Sequence, residues 1–486
     1  MSSTIMSNGV PSLTDNSKEG PSLEVNSNEV PSLTALERIG PKGYLRYVFL
    51  FQLPEEYDLR KISDTLKQGY TALKQCFPVV GCEAIPDKDS KQAGVLKLQM
   101  LEEGDVEDIV VKDLQDSYFC TYPELKSKGF PVAAFDDTLC RRSVWPSPGE
   151  RLPTSLVQAN FIRGGLILTW CILHMVGDGT SFYTWMKVWA DACLRAQSAE
   201  ASDALPLQLH RAIWDDRERI MKSSGRNEGL FENHPEYTVL PVTPTSAPPK
   251  MISPHHCGQI FYFSPTALKK LKEDASPIYA TEPTDQKWIS TNDAVSALLW
   301  RTIMAVQSPI DTLDGDPTST FNIAIDGRQR TDPPVHPETQ GCFLEYVVTS
   351  ASIRQMLSKM SLADIAISIR KAILRANSQY TDDIVTLTEK LDDVNRLIPT
   401  AFLDVPGFNC IQTSWVNFKL YDLNWGQLLG DKIDSVRSPR VGVINGLQVV
   451  LPSPPGGGME VLVGVEDRCL ERLLEDPMWL KYATPR

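Results

Sequence analysis

The sequence predicts an α/β (α+β) protein folded as two halves. Three observations carry that prediction. Short apolar runs of strand length alternate with stretches whose apolar residues recur at helical spacing. Two such blocks are separated by a Pro-rich stretch without pattern, around "LPVTPTSAPPKMISP". The chain has 486 residues and 42% hydrophobic content, enough for two large cores.

The first 34 residues repeat "PSL" at 11–13, 21–23 and 31–33, on a ten-residue period rich in Ser, Asn, Glu and Pro. Such a segment buries too little apolar surface to fold alone, so residues 1–34 are expected to be a disordered extension. Residues 35–215 are the expected first domain. Within it "YLRYVFLFQL" (44–53) is aromatic and β-branched and reads as a strand. Leu59, Ile62, Leu66, Tyr70, Leu73 and Phe77 then recur at helical spacing. Further strands are predicted at 94–100 and 157–163, ahead of an apolar run at 166–173. Phe182, Trp185, Met186, Trp189 and Cys193 mark the next helix. Residues 216–257 are the expected crossover linker. In the second domain, 258–486, "GQIFYF" reads as a strand, and Ser264-Pro265 caps and opens a helix. A second capped helix is predicted over 290–306. "LQVVLP" and "MEVLVGV" read as strands joined through a hairpin at "SPPGGG", and one helix through "LERLLEDPMWLKYA" follows.

Charge and composition narrow the function. With 48 basic and 61 acidic residues the formal charge is −13, which argues against nucleic-acid binding. An anionic ligand in a local basic pocket stays open. The ten Cys stand singly without a C-x-x-C pair, so no metal site is expected. No basic leader precedes an apolar segment, and no run nears the roughly 20 apolar residues of a spanning helix. The expectation is a cytoplasmic monomer that engages no membrane.

The chemistry concentrates in three stretches. In "LILTWCILHMVGDGTSFYTW" (166–185) the apolar run ends in His174, and Asp178 follows between Gly177 and Gly179. His174 thus stands at a strand's C-terminal end, on a turn leading to a helix, where α/β proteins place ligands. A neutral imidazole there can accept a proton near pH 7. Taken alone, such a His is more often a satisfied rim residue than a base. The second stretch, "TSWVNFKLYDLNWGQ" (413–427), closes on Asp422, Trp425 and Gly426. The third, "NIAIDGRQRTDPP", carries Arg328 and Arg330 after a strand, two guanidinium groups suited to pairing with lone carboxylates.

Together these stretches resemble the BAHD superfamily of coenzyme A-dependent acyltransferases, and look most like its fungal secondary-metabolite, trichothecene acetyltransferase-like members. The family's H-x-x-x-D motif matches His174 to Asp178, and its D-F-G-W-G motif matches "DLNWG", departing at Leu423 and Asn424. "TSW" (413–415), "IDGRQRTDPP" and "STNDAVSALLWR" match further family segments in the family's order. The resemblance implies two chloramphenicol-acetyltransferase-like domains with a channel between them, and a segment of the second half that crosses back to the first domain. It implies acyl-CoA, with acetyl-CoA expected, as co-substrate rather than a resident cofactor, and a small-molecule alcohol or amine as acceptor. His174 would be the general base, with Trp425 N–H and the Thr413 hydroxyl as donors to the oxyanion. Asp178 would pair with Arg328 or Arg330, and Asp422 would hold its loop through the other arginine or add to catalysis. Gly179 and Gly426 would shape the two turns. Ser290, Thr291 and Asn292 could meet coenzyme A at a helix N-terminus, or simply cap that helix. A peptide-forming condensation domain would need a His where Leu173 stands, and a non-catalytic relative would not need His174.

Overall fold

The computed structural model describes residues 30–197, 217, 220–404, 407–440 and 443–486. In chain order the elements that matter are α1 (Ala35–Ile39), β1 (Tyr44–Gln52), α2 (Leu59–Cys76), β2 (Ile109–Asp113), β3 (Ser155–Ile162), β4 (Gly165–Leu173) and α3 (Gly179–Arg195). Then come β5 (His256–Phe263), α4 (Pro265–Asp274), α5 (Thr291–Gln307), β6 (Thr318–Asp326), β7 (Leu344–Ser352), α6 (Leu362–Arg375) and α7 (Ser378–Lys390). The last are β8 (Cys410–Ser414), β9 (Ser435–Arg437), β10 (Leu447–Val450), β11 (Met459–Glu466) and β12 (Thr484–Pro485).

Two sheets organise the molecule. The first has the order β9-β1-β4-β3-β2 and the second β7-β6-β8-β10-β11-β5-β12. In the first, β1 runs antiparallel to β4 with Tyr44 opposite Leu173. In the second, β8 lies between β6 and β10 and is parallel to both. β3 and β4 are buried at every residue; β4 is accordingly apolar but for Thr169, while β3 buries Ser155, Gln158 and Asn160 through hydrogen bonds.

Helices cover the sheets with apolar stripes set by their periodicity. In α2, Ile62, Leu66, Tyr70 and Leu73 are buried. The helix meets α3 at Gly69, where a Cβ would lie 2.5 Å from Cys193 Sγ, so only glycine permits this approach. In the second half α5 is buried along most of its length, and its Trp300 indole donates to Ser319 Oγ at 2.7 Å. Local capping works as predicted: Ser264 accepts from Ala267 N, and Ser290 forms a capping box with Asp293.

Several expectations need correction. Part of the expected extension is packed: Leu33, in the third "PSL", is buried in the first core, and Thr34 caps α1. The first two repeats lie outside the described residues. Ala35 and Leu36 pack into the second core, not the first. A segment of the second half does cross back to the first, as the resemblance implies. Residues 420–436 contribute Leu420, Tyr421, Trp425, Leu429, Ile433 and Val436 to the first core, and β9 pairs with β1, Val48 opposite Arg437. Buried Arg437 on this strand pairs with Glu460 of the second sheet at 2.9 Å, tying the halves together. Arg328 and Arg330 do follow a strand, on a 3-10 turn after β6 ends at Asp326. The final helix is two short ones, Leu470–Glu475 and Pro477–Leu480, since Pro477 cannot continue the first and opens the second. α6 and α7 are two further helices, and Ile365, Ile369 and Ala372 carry the buried stripe of α6.

Candidate active site

β4 delivers His174 to the junction of the sheets. The residue opens a 3-10 turn, His174–Val176, and its amide donates to Gly43 O at 2.9 Å, fastening the turn to the start of β1. The neighbouring glycines supply space rather than unusual backbone angles. Gly177 is extended, at φ −166°. A Cβ on it would stand 2.6 Å from the Trp185 ring, and one on Gly179 would stand 2.6 Å from the Phe418 ring. Both glycines are thus required by close aromatic packing.

Asp178 braces the turn. As N-cap of α3 its carboxylate accepts from the amides of Thr180 and Ser181, both at 3.1 Å. Arg328 grips it twice, at 2.6 and 3.0 Å, and the Phe343 amide adds a bond of 2.9 Å. Arg328 is fully buried and stacks on the Phe343 ring. Its other protons go to Asp326, Ser181 Oγ and the carbonyls of Thr339 and Gly341. Of the two arginines, then, Arg328 is the one on Asp178. Arg330 donates instead to the carbonyls of Ala376 and Asp326.

His174 lines a cavity of about 260 Å³ between the sheets. Tyr44 and Tyr47 of β1, Tyr346 of β7, and Thr413 and Trp415 at the end of β8 share its wall. Among the described residues that line it there is no Lys or Arg. The imidazole is held below its ordinary pKa. Burial is the main cause; the nearby carbonyls of His174 and Gly177 and the Asp178 charge oppose it and lose.

Not every predicted residue reaches this cavity. Thr413 does. Trp425 does not: its indole is fully buried in the first core, edge-on to Phe51 and Trp189, so it is a packing residue and not an oxyanion donor. Asp422 is exposed at the end of the turn Leu420–Asp422 and takes no ion pair from Arg330. Gly426 adopts φ 81° with the Gln197 amide against its Cα, which excludes a side chain. Ser290 spends its hydroxyl on the cap, and Thr291 opens α5 without lining the cavity. Asn292 reaches the wall only through Gln412, to which its amide donates at 3.3 Å. The sequence reading missed Tyr44, Tyr47 and Trp415 as wall residues; their aromatic character was the available signal. Replacing Asp422 with Asn is expected to leave both turnover and melting temperature unchanged, because its carboxylate touches neither cavity nor core. A loss of turnover in that variant would return Asp422 to the site.

Comparison with known proteins places the chain. Residues 124–477 match the Transferase family, and residues 44–193 match the trichothecene 3-O-acetyltransferase-like N-terminal domain. The chain belongs to the BAHD transferase family. This BAHD member is an acyl-CoA-dependent acyltransferase. "Trichothecene 3-O-acetyltransferase TRI101" of Fusarium sporotrichioides is 28% identical to it, over 90% of this chain and 93% of the relative. "Enoyl-CoA isomerase/hydratase claC" of Penicillium crustosum is 26% identical over 92% of this chain, and the chain spans 50% of that protein's length. In three dimensions the protein resembles F. graminearum TRI101 complexed with coenzyme A and T-2 mycotoxin. The TM-score is 0.77 at 24% identity, covering 94% of this chain and 99% of the other. Among the described residues no helix is long and apolar enough to cross a membrane.

Proposed function

We propose that the protein transfers an acetyl group from acetyl-CoA to a hydroxyl of a secondary metabolite, with His174 as general base. One observation carries this reading: His174, kept neutral by burial, and Thr413 face one cavity between the sheets. The reaction uses the tautomer with its proton on Nδ1 and its lone pair on Nε2. Nε2 takes the hydroxyl proton as the acceptor oxygen attacks the thioester carbonyl. The carbonyl oxygen becomes an oxyanion, to which the Thr413 hydroxyl donates. The tetrahedral adduct collapses, the C–S bond breaks, and His174 returns the proton to the thiolate. No acyl-enzyme forms. Among the described residues the cavity wall carries Asp178 and Asp326 but no Lys or Arg, which suits an acceptor without negative charge.

The test is thiol release from acetyl-CoA by purified protein against a panel of alcohols and amines. Transfer to alcohols supports the reading; transfer to amines alone moves it to N-acylation. Reaction only with carrier-bound acyl groups would remove coenzyme A as donor. The pH profile adds a second check. A lowered pKa keeps the imidazole neutral as pH falls through its ordinary value near 6.5. The profile of kcat/KM should therefore stay level at pH 6.5 and decline only below it. A midpoint above pH 7 would contradict a buried base.

A further inference from the structure

Tyr47 is a buried phenol with nothing to donate to. It lies on β1 and is 1% exposed. Its ring stacks on Phe182 at 3.9 Å and 5°, and tilts against Trp415 at 4.7 Å. These contacts fix the ring. Yet the hydroxyl is buried and makes no hydrogen bond, while the residue lines the same cavity as His174. A hydroxyl stripped of water and left unmatched destabilises the protein that carries it. Packing does not require it. Phe49, two residues along on the same face of β1, also stacks on Phe182 and does so without a hydroxyl. Asp178 is near enough to act on the phenol electrostatically, but its oxygens are committed to Arg328 and three amides. Burial and that negative charge both hold the phenol well above its usual range, so it keeps its proton at working pH.

We propose that Tyr47 is a further catalytic residue whose O–H donates to a substrate oxygen beside His174, the thioester carbonyl or the acceptor's oxygen. The inference rests on the acyl-transfer reading above. The bond is made only when substrate fills the cavity. If it is made to the carbonyl, it strengthens as that oxygen gains charge, and the proton stays on Tyr47 throughout.

Tyr47→Phe tests this, because it removes one oxygen and keeps the ring. Acetyl transfer should fall about 10–100-fold in kcat/KM. Melting temperature should hold or rise, since an unmatched buried group has gone. Slow hydrolysis of acetyl-CoA without acceptor separates the two oxygens. A parallel fall places the donor on the thioester carbonyl; unchanged hydrolysis places it on the acceptor. Transfer within twofold of the parent would overturn the proposal. So would a fall in melting temperature, which would make the hydroxyl part of the fold. His174→Ala is run alongside. If that variant stays fully active, the acyl-transfer reading itself fails; if it is inactive while Tyr47→Phe is fully active, only the role of Tyr47 fails.

Discussion

Replacing His174 with Ala is expected to lower acetyl transfer by about 10²–10⁴-fold, the usual worth of a positioned general base. The fold should survive. The backbone bond from His174 N to Gly43 O does not involve the side chain, and the turn's anchors are Asp178, Trp185 and Phe418. The imidazole Nδ1 makes no well-formed hydrogen bond, so its removal strands no partner. Activity and stability should therefore separate, with turnover lost and melting temperature close to the parent. The measurement is steady-state transfer paired with thermal unfolding. Turnover within twofold of the parent would sink His174 as base. A collapse of both quantities together would instead make it a structural rim residue.

The opposite signature is expected for Asp178. Asp178→Ala removes a helix cap and leaves Arg328 fully buried with only the partly exposed Asp326 as counter-charge. Breaking a buried ion pair from one side typically costs about 3–5 kcal/mol, and the lost cap adds about 1 kcal/mol. Stability and turnover should fall together, with denaturant midpoint as the first readout. Arg328→Lys should not escape this loss, because an ammonium cannot reproduce the two-pronged grip on the carboxylate and the stacking on Phe343. Normal stability in Asp178→Ala would show that the brace is dispensable and would reopen a direct part in proton transfer.

The contrast between these two residues shows what could be read from the chain alone. Local signals were legible because their causes are local. The caps at Ser264 and Ser290 need partners three residues away, and β4 is apolar but for Thr169 because both its faces are covered. The position of His174 followed from that strand and its turn. Long-range choices were not legible. Whether Arg328 or Arg330 takes Asp178 depends on contacts made 150 residues along the chain. Trp425 and Thr413 stood in one quoted stretch, yet the chain between them runs from the second sheet into the first core, so only Thr413 reaches the cavity. The unmatched hydroxyl of Tyr47 had no sequence signal beyond its residue type, because what is missing around a side chain is a property of the folded neighbourhood.

β9 has a consequence for how the protein is made. The outer edge of β1 is completed by residues 435–437. The last described helix of the first half, α3, ends at Arg195, so about 240 residues separate the two in the chain. At roughly 5–20 residues per second, a ribosome delivers the missing strand about 10–50 s later. Through that interval Val48, Phe49 and Leu50 present unpaired backbone to any strand that meets them, a nascent-chain hazard that lengthens as translation slows.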